Sequence, residues 1–494
     1  MSPAPGPLPP LDAILKAHAT KGPDRLALVD PPDCEAVTGM APRRFTYREA
    51  DRAVGAIAAR LREIGLAAGS VVGIQMPNVA AGILTLLAVM RAGMIAAPLP
   101  LLFRRADCVA GLSTAGARAI VTCGRVSGFD HAGLALEIAT ELFPIRAICG
   151  FGCGAVDGVV PLDDLLSANE EHPDTILFHG DRPAAFAVIT FDTTIDGIVP
   201  MARSTAQLLA GGRLIRQRGA IAPASAVVLS TLPVSSCAGI ATTLVPWLLT
   251  GGTLVLHHPF DPDILREQIM REHCTMLVVP DAMLPALDAS DWLDNVSAVI
   301  SVWRAPERLA HAAAWTSAIT LVDAVAFGET AMLAARRPPD GRTLPWPIGP
   351  MAIADGGSEC AQVSMMPGGT LGIRGPLAAV SFHPYGTEAS SDPGAAHDPV
   401  DTGYPCRAVD DGAALVVTAP PAGMIRVGGY GFAIQQLQHL VRGLDANGVL
   451  AALPHARSGH RLAGHSHDPV AMRAMLRESG SNPLLPAAFR DHTT

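Results

Sequence analysis

The chain has 494 residues, a hydrophobic fraction of 49%, a charged fraction of 16% and a formal net charge of −9. That composition buries a large apolar core and excludes a disordered chain, while net acidity without a basic stripe argues against nucleic-acid binding. Of the 36 basic residues only Lys16 and Lys21 are lysine, and the nine cysteines have no regular spacing, which fits unpaired thiols in a reducing, cytoplasmic setting.

A chain of this length suits three domain-sized units, or one large multilayered unit with a small one. The first 15 residues lack a basic stretch followed by an apolar one, so no signal peptide is expected. The first clear element is a helix after Phe45. Thr46 and Glu49 have capping-box spacing, and Val54, Ile57, Leu61 and Ile64 then form one apolar face ended by Gly65. Residues 71–74 read as a buried strand, and Asn78 is placed to cap a helix that runs to Arg91. A further strand is expected at 119–122.

From about residue 185 strand-like runs recur at 186–189, 227–229, 253–256, 276–279 and 298–302, with helical stretches such as 262–272 between them. This alternation predicts helix-covered, mostly parallel sheets. Residues 220–260 carry no Asp, Glu, Lys or Arg. Pro233, Pro246 and Gly251-Gly252 cut that run into pieces shorter than the ~20 residues of a spanning helix, so strand, helix, strand is expected and no membrane span. After Thr370 the strands shorten, and 386–400 reads as a loop.

The ordered motifs resemble the adenylate-forming, AMP-binding superfamily of acyl- and aryl-CoA ligases, peptide-synthetase adenylation domains and luciferases. They are F-T-Y-R-E-A at 45–50, M-P-N at 76–78, P-W-L-L-T-G-G-T-L-V-L at 246–256, F-G-E-T at 327–330, G-T-L-G-I-R-G-P at 369–376, D-T-G at 401–403 and M-I-R-V-G-G at 424–429. The resemblance implies an α/β fold. A large N-terminal domain of helix-covered, mostly parallel sheets plus a small distorted barrel would occupy 1–422, with a short α+β C-terminal domain at 423–494. It also implies ATP or AMP and CoA as cofactors, with Mg²⁺ doubtful. The partners it implies are an acyl or aryl carboxylate or its thioester, and a protein partner or a homodimer.

By resemblance, the nucleotide-facing positions are Thr190, Thr193 and Thr194 in the phosphate loop, Phe327, Gly328 and Thr330, then Thr402, Arg426, Gly428 and Gly429. The departures lie at the same places. The family's loop glycines and lysine correspond to Asp192, Ile195 and Ile198, and a β-branched residue opposes the backbone freedom that glycine supplies there. Asp192 and Asp196 would each repel a phosphate by about 4 kcal/mol at ~4 Å and an effective dielectric of 20.

The family's Mg²⁺-supporting glutamate becomes Ala331, leaving Glu329 either to compensate or to sit as a solvated turn residue. Trp303 and Arg304 stand where space is usual, so they would close the pocket or bind an anion, and closure is the preferred reading. Tyr404 replaces the ribose-binding aspartate and Pro420-Pro421 the usual hinge; the family's C-terminal lysine has no counterpart, and no catalytic residue can be assigned.

The tract of His455, His460, His465 and His467 suits no fixed metal site, and Cys149 and Cys153 read as buried thiols. The expectation is a homologue with lost or much reduced carboxylate activation that acts by binding or regulation. The alternative is an active AMP-forming acid–CoA ligase.

Overall fold

The structure, a computed structural model, describes residues 9–167, 186–221, 225–258, 261–352, 359–382 and 398–490. Most of the loop read at 386–400 falls outside them.

The expected helix spans Tyr47–Glu63 and has the full capping box, with Thr46 and Glu49 each bonding the other's backbone N–H. It packs against the helix Ala80–Arg91, which is buried along nearly its whole length. Asn78 does not cap that second helix. Its Nδ2 donates instead to the carbonyls of Ser230 at 2.9 Å and His257 at 3.2 Å, tying this turn to the other sheet. The helix start is capped from a distance, with Asp30 Oδ1 accepting the Ala80 N–H at 2.6 Å.

Two eight-stranded sheets carry the large part of the chain. In one, the strands Ile95–Pro98, Val71–Gln75, Ala117–Cys123, Ala147–Phe151 and Val159–Pro161 run parallel in that spatial order. Phe186–Thr194 joins its edge in parallel and is followed antiparallel by Gly197–Ser204. In the other, Thr253–Leu256, Val227–Ser230, Met276–Pro280, Ala298–Trp303 and Thr320–Phe327 are parallel neighbours, with Ala331–Arg336 turning back antiparallel. These strands are nearly continuous apolar runs because both faces are covered.

The charge-free segment folds as expected: a strand, helical turns from Cys237 to Thr250, and a second strand. Trp247 lies fully buried at its centre, stacked on Tyr47 at 6.1 Å. No helix among the described residues is long and apolar enough to cross a membrane.

A six-stranded antiparallel sheet, built from strands between Trp346 and Val417, forms a half-barrel beside the two large sheets. The last part of the chain has its own sheet of Tyr430–Ala433, Met424–Val427, Gly459–His465 and Val449–His455. The helices Ile434–Leu444 and Pro469–Glu478 contribute Val441, Met472 and Leu476 to a separate cluster with Leu450, Leu462 and Phe489.

Candidate functional site

The segment that corresponds to the phosphate loop is a tight β-hairpin. From Val188 opposite Arg203 the ladder runs without interruption to Thr194 opposite Gly197, leaving Ile195 and Asp196 as the turn. Gly197 at φ 111° makes that return possible. An extended antiparallel hairpin spends alternate amides on its partner strand and points the others apart, so it does not gather a run of N–H groups around a phosphate.

The threonines expected to face phosphate are engaged within the protein. Thr190 is buried and its hydroxyl accepts from Arg203 Nη1 at 3.1 Å. Thr194 Oγ1 donates to the Gly197 carbonyl at 3.1 Å, and Thr193 lies beside Gly431.

Asp192 is the centre of the arrangement. It is 8% exposed, and its Oδ2 accepts the Glu329 N–H at 2.8 Å while Oδ1 accepts the Thr193 N–H at 2.9 Å. Burial raises its pKa, opposed by the Arg426 charge and reinforced by that of Glu329. Gly328, at φ 58°, is needed here, because a Cβ on it would stand 2.1 Å from Asp192 Oδ2. Arg426 comes within 3.9 Å of Asp192 Oδ1 and donates to the Tyr404 hydroxyl oxygen at 2.8 Å. Burial opposes the Arg426 charge, but Tyr404 and Asp192 outweigh it and hold the guanidinium's pKa above its ordinary value. Tyr404 in turn lies with its ring edge-on to Phe327 at 5.5 Å.

Glu329 is not a solvated turn residue. It is 2% exposed, with Oε1 accepting from Arg304 Nη2 at 2.8 Å and Oε2 from the Cys237 N–H at 2.7 Å. Arg203 donates to its carbonyl. Both carboxylate oxygens are therefore committed, and among the described residues no group of three or more His, Cys, Asp or Glu stands ready for a metal. Burial, then the Glu329 charge, pushes the Cys237 thiol up to about 12, so it offers no thiolate at neutral pH.

Arg304 thus has an internal anion, and Gly429 packs within 3.1 Å of its side chain as judged from an added Cβ. Trp303 is buried and donates to Asp323 Oδ1 at 2.8 Å, within an ion pair of Asp323 and Arg337. Ile198 packs toward Gly111 on the helix Arg105–Ala115, and Ile195 is 55% exposed at the hairpin tip under Gly423. Charged side chains, rather than the isoleucines and tryptophan, fill the space between hairpin and Gly328 turn.

The sequence-selected residues do not all converge. The hairpin threonines, Phe327, Gly328, Arg426 and Gly429 border one network. Thr402 faces the half-barrel, with Oγ1 donating to the Leu371 carbonyl at 2.8 Å. Thr330 ties by its backbone to Ala379 at 2.7 Å, and Gly428 donates to Ser458 at 3.0 Å. Arg203 escaped the sequence reading; an arginine inside the apolar run P-M-A-R-S was the available signal. The histidines divide along their hairpin, where His455 pairs with Gly459 and His465 with Val449, seven-residue strands apart.

A phosphate cradle and a free metal carboxylate are what an adenylating site needs from these positions. The closed ladder and the doubly bonded Glu329 do not fit ATP·Mg²⁺ in this arrangement, and no catalytic step is derived through it.

Residues 15–171 match the AMP-binding enzyme family. A salicyl-AMP ligase / salicyl-S-ArCP synthetase of Mycobacterium tuberculosis is 30% identical over 138 residues, covering 28% of this chain and 24% of that protein. The 4-coumarate–CoA ligase 3 of Arabidopsis thaliana is 23% identical over 292 residues, 56% of this chain and 49% of its own length. These matches therefore span at most about half of the relatives they reach. The amide bond synthetase McbA of Marinactinospora thermotolerans superposes with a TM-score of 0.72 at 18% identity, over 97% of this chain and 94% of that one. Residues 15–171 thus resemble the AMP-binding enzymes in sequence, and the whole chain shares the fold of that amide bond synthetase.

Proposed function

We propose that this protein is an adenylate-forming homologue with lost or much reduced ATP-dependent carboxylate activation, and that it acts by binding. The observation that carries this reading is the Val188–Thr194 ladder closed against Val199–Arg203 and Gly197, with Asp192 seated at Gly328. Nucleotide binding there requires the hairpin to open and the Asp192–Glu329 and Asp192–Arg426 contacts to break.

Its ligand class is an acyl or aryl carboxylate or the corresponding thioester, in keeping with the salicyl and coumarate ligases it resembles. AMP and CoA are the cofactors the family suggests, Mg²⁺ being disfavoured by the engaged Glu329. In this reading residues 1–422 form the large unit and 423–494 the small one, and the protein works in the cytoplasm with a protein partner or as a homodimer.

The test is carboxylate-dependent ATP–pyrophosphate exchange with a panel of fatty and aromatic acids, paired with calorimetric titration of ATP·Mg²⁺. No exchange and no heat of nucleotide binding are expected. Binding without exchange would make it a nucleotide sensor. Robust exchange overturns the reading and establishes an active AMP-forming acid–CoA ligase.

A further inference from the structure

The donors that meet the Asp192 carboxylate are held in place by partners other than Asp192. Its Oδ2 accepts the Glu329 N–H at 2.8 Å, and that N–H is aimed by the turn at 328–330, which joins Phe327 to its strand partner Ala331. The turn is fixed from several sides. The Thr330 N–H donates to the Phe327 carbonyl at 3.1 Å, and the Ala379 N–H to the Thr330 carbonyl at 2.7 Å. Arg304 and the Cys237 N–H hold the Glu329 side chain, and Arg203 donates to the Glu329 carbonyl.

The other two donors are equally constrained. The Thr193 N–H, on a residue paired with Ile198, donates to Asp192 Oδ1 at 2.9 Å. Arg426 lies within 3.9 Å of the same oxygen, oriented by its 2.8 Å bond to Tyr404. Gly431 leaves room for that guanidinium, since a Cβ there would fall 2.5 Å from Nη1. Arg426 Nε is buried without a hydrogen-bond partner among the described residues, so this cation has donor capacity left.

Two amides and a guanidinium thus form an oxyanion-binding hollow, and the chain fills it with its own carboxylate. The hollow has no space for a second anion: a Cβ on Gly328 would stand 2.1 Å from Oδ2 and 2.7 Å from Oδ1. Charge-assisted bonds of this kind are strong, and removing the acceptor leaves a buried guanidinium and buried amides unanswered. Any oxyanion of matching size that reaches them relieves that cost.

We propose that Asp192 is the built-in occupant of a small-oxyanion site, and that deleting its carboxylate opens the site to a free small carboxylate. Asp192→Ala removes a carbon and both oxygens, the heavy atoms of formate. Asp192 has this role in the closed hairpin on which the proposed function rests. Formate binding by a variant and ATP–pyrophosphate exchange by the wild type are read separately, so either can fail alone.

Differential scanning calorimetry of the full chain in sodium formate, against sodium chloride of equal ionic strength, tests the site. Asp192→Ala is expected to melt several degrees below wild type in chloride and to regain about half of that loss in saturating formate, as a ligand of the folded state does. Wild type, already filled, should show no formate-specific shift. Neither should Asp192→Asn, which keeps the bulk, nor Asp192→Ala combined with Arg426→Met, which removes the cation. Absence of a formate-specific rise in Asp192→Ala overturns the proposal, as does an equal rise in wild type or in the double variant. Propionate is too bulky for the space beside Gly328, and a rise equal to that with formate also overturns it. If circular dichroism shows Asp192→Ala unfolded in chloride, its refolding yield in formate becomes the readout: recovery supports the site, and no recovery overturns it.

Discussion

The strand Val71–Gln75 and the hairpin Phe186–Ser204 lie in one sheet, yet their interiors have opposite chemistry. Around the first, burial is almost purely apolar: Val72 and Ile74 meet helices rich in Leu and Ala, and only Gln75 brings a polar side chain. Around the second, Thr190, Asp192, Arg203, Glu329 and Arg426 are all buried, and each is answered by a named partner. An apolar interior tolerates many sequences of suitable size, because its attraction is non-directional. A charged interior is determined atom by atom, because an unanswered charge there costs more than a pair gains.

The contrast is sharpest in the response to truncation. Trp247→Ala in the apolar region should produce the largest loss, about 3–5 kcal/mol by urea denaturation, since it empties a fully buried ring and leaves the Gly252 carbonyl with Tyr47 as its remaining side-chain donor. Glu329→Ala in the charged seam should cost about 2–3 kcal/mol, less than a fully buried pair because the Arg304 side chain is 33% exposed. Glu329→Gln, which keeps an acceptor for the Cys237 N–H, should cost less than Glu329→Ala. If Glu329→Ala is neutral, the seam is not held by its charges and the contrast fails.

Acid titration tests a buried carboxylate beside the apolar region. Asp30 is 7% exposed, accepting from the Ala80 and Arg43 N–H groups, and burial nonetheless pushes its carboxyl from 3.8 up to about 6. A folded value above the unfolded one favours the folded state at low pH. That advantage is complete below pH 3.8 and is lost as pH rises through about 6. The component should be about 3 kcal/mol in stability across that window, and Asp30→Asn should abolish it; an unchanged slope in the variant would place the titration elsewhere.

Much of the frame was legible in the residues. The Thr46–Glu49 box and its helix, the parallel strands, and the strand–helix–strand reading of the charge-free segment follow from local periodicity and capping chemistry, which the fold left undisturbed. The site was legible only in outline. Asn78 has the chemistry of a cap but was drawn to Ser230 and His257, while Asp30, far away in sequence, took its place. Glu329 has the look of a turn residue until Arg304 and Cys237 are brought to it.

By itself, the sequence determined which segments form strands and helices, because periodicity and caps act over a few residues. It also marked where lysine and glycine are absent from the ordered motifs. Only the tertiary structure decided that Asp192 looks inward to Glu329 and Arg426 rather than outward to a phosphate. The reason is physical: a buried charge takes its character from whichever partners the packed chain delivers, and those partners here lie more than a hundred residues away.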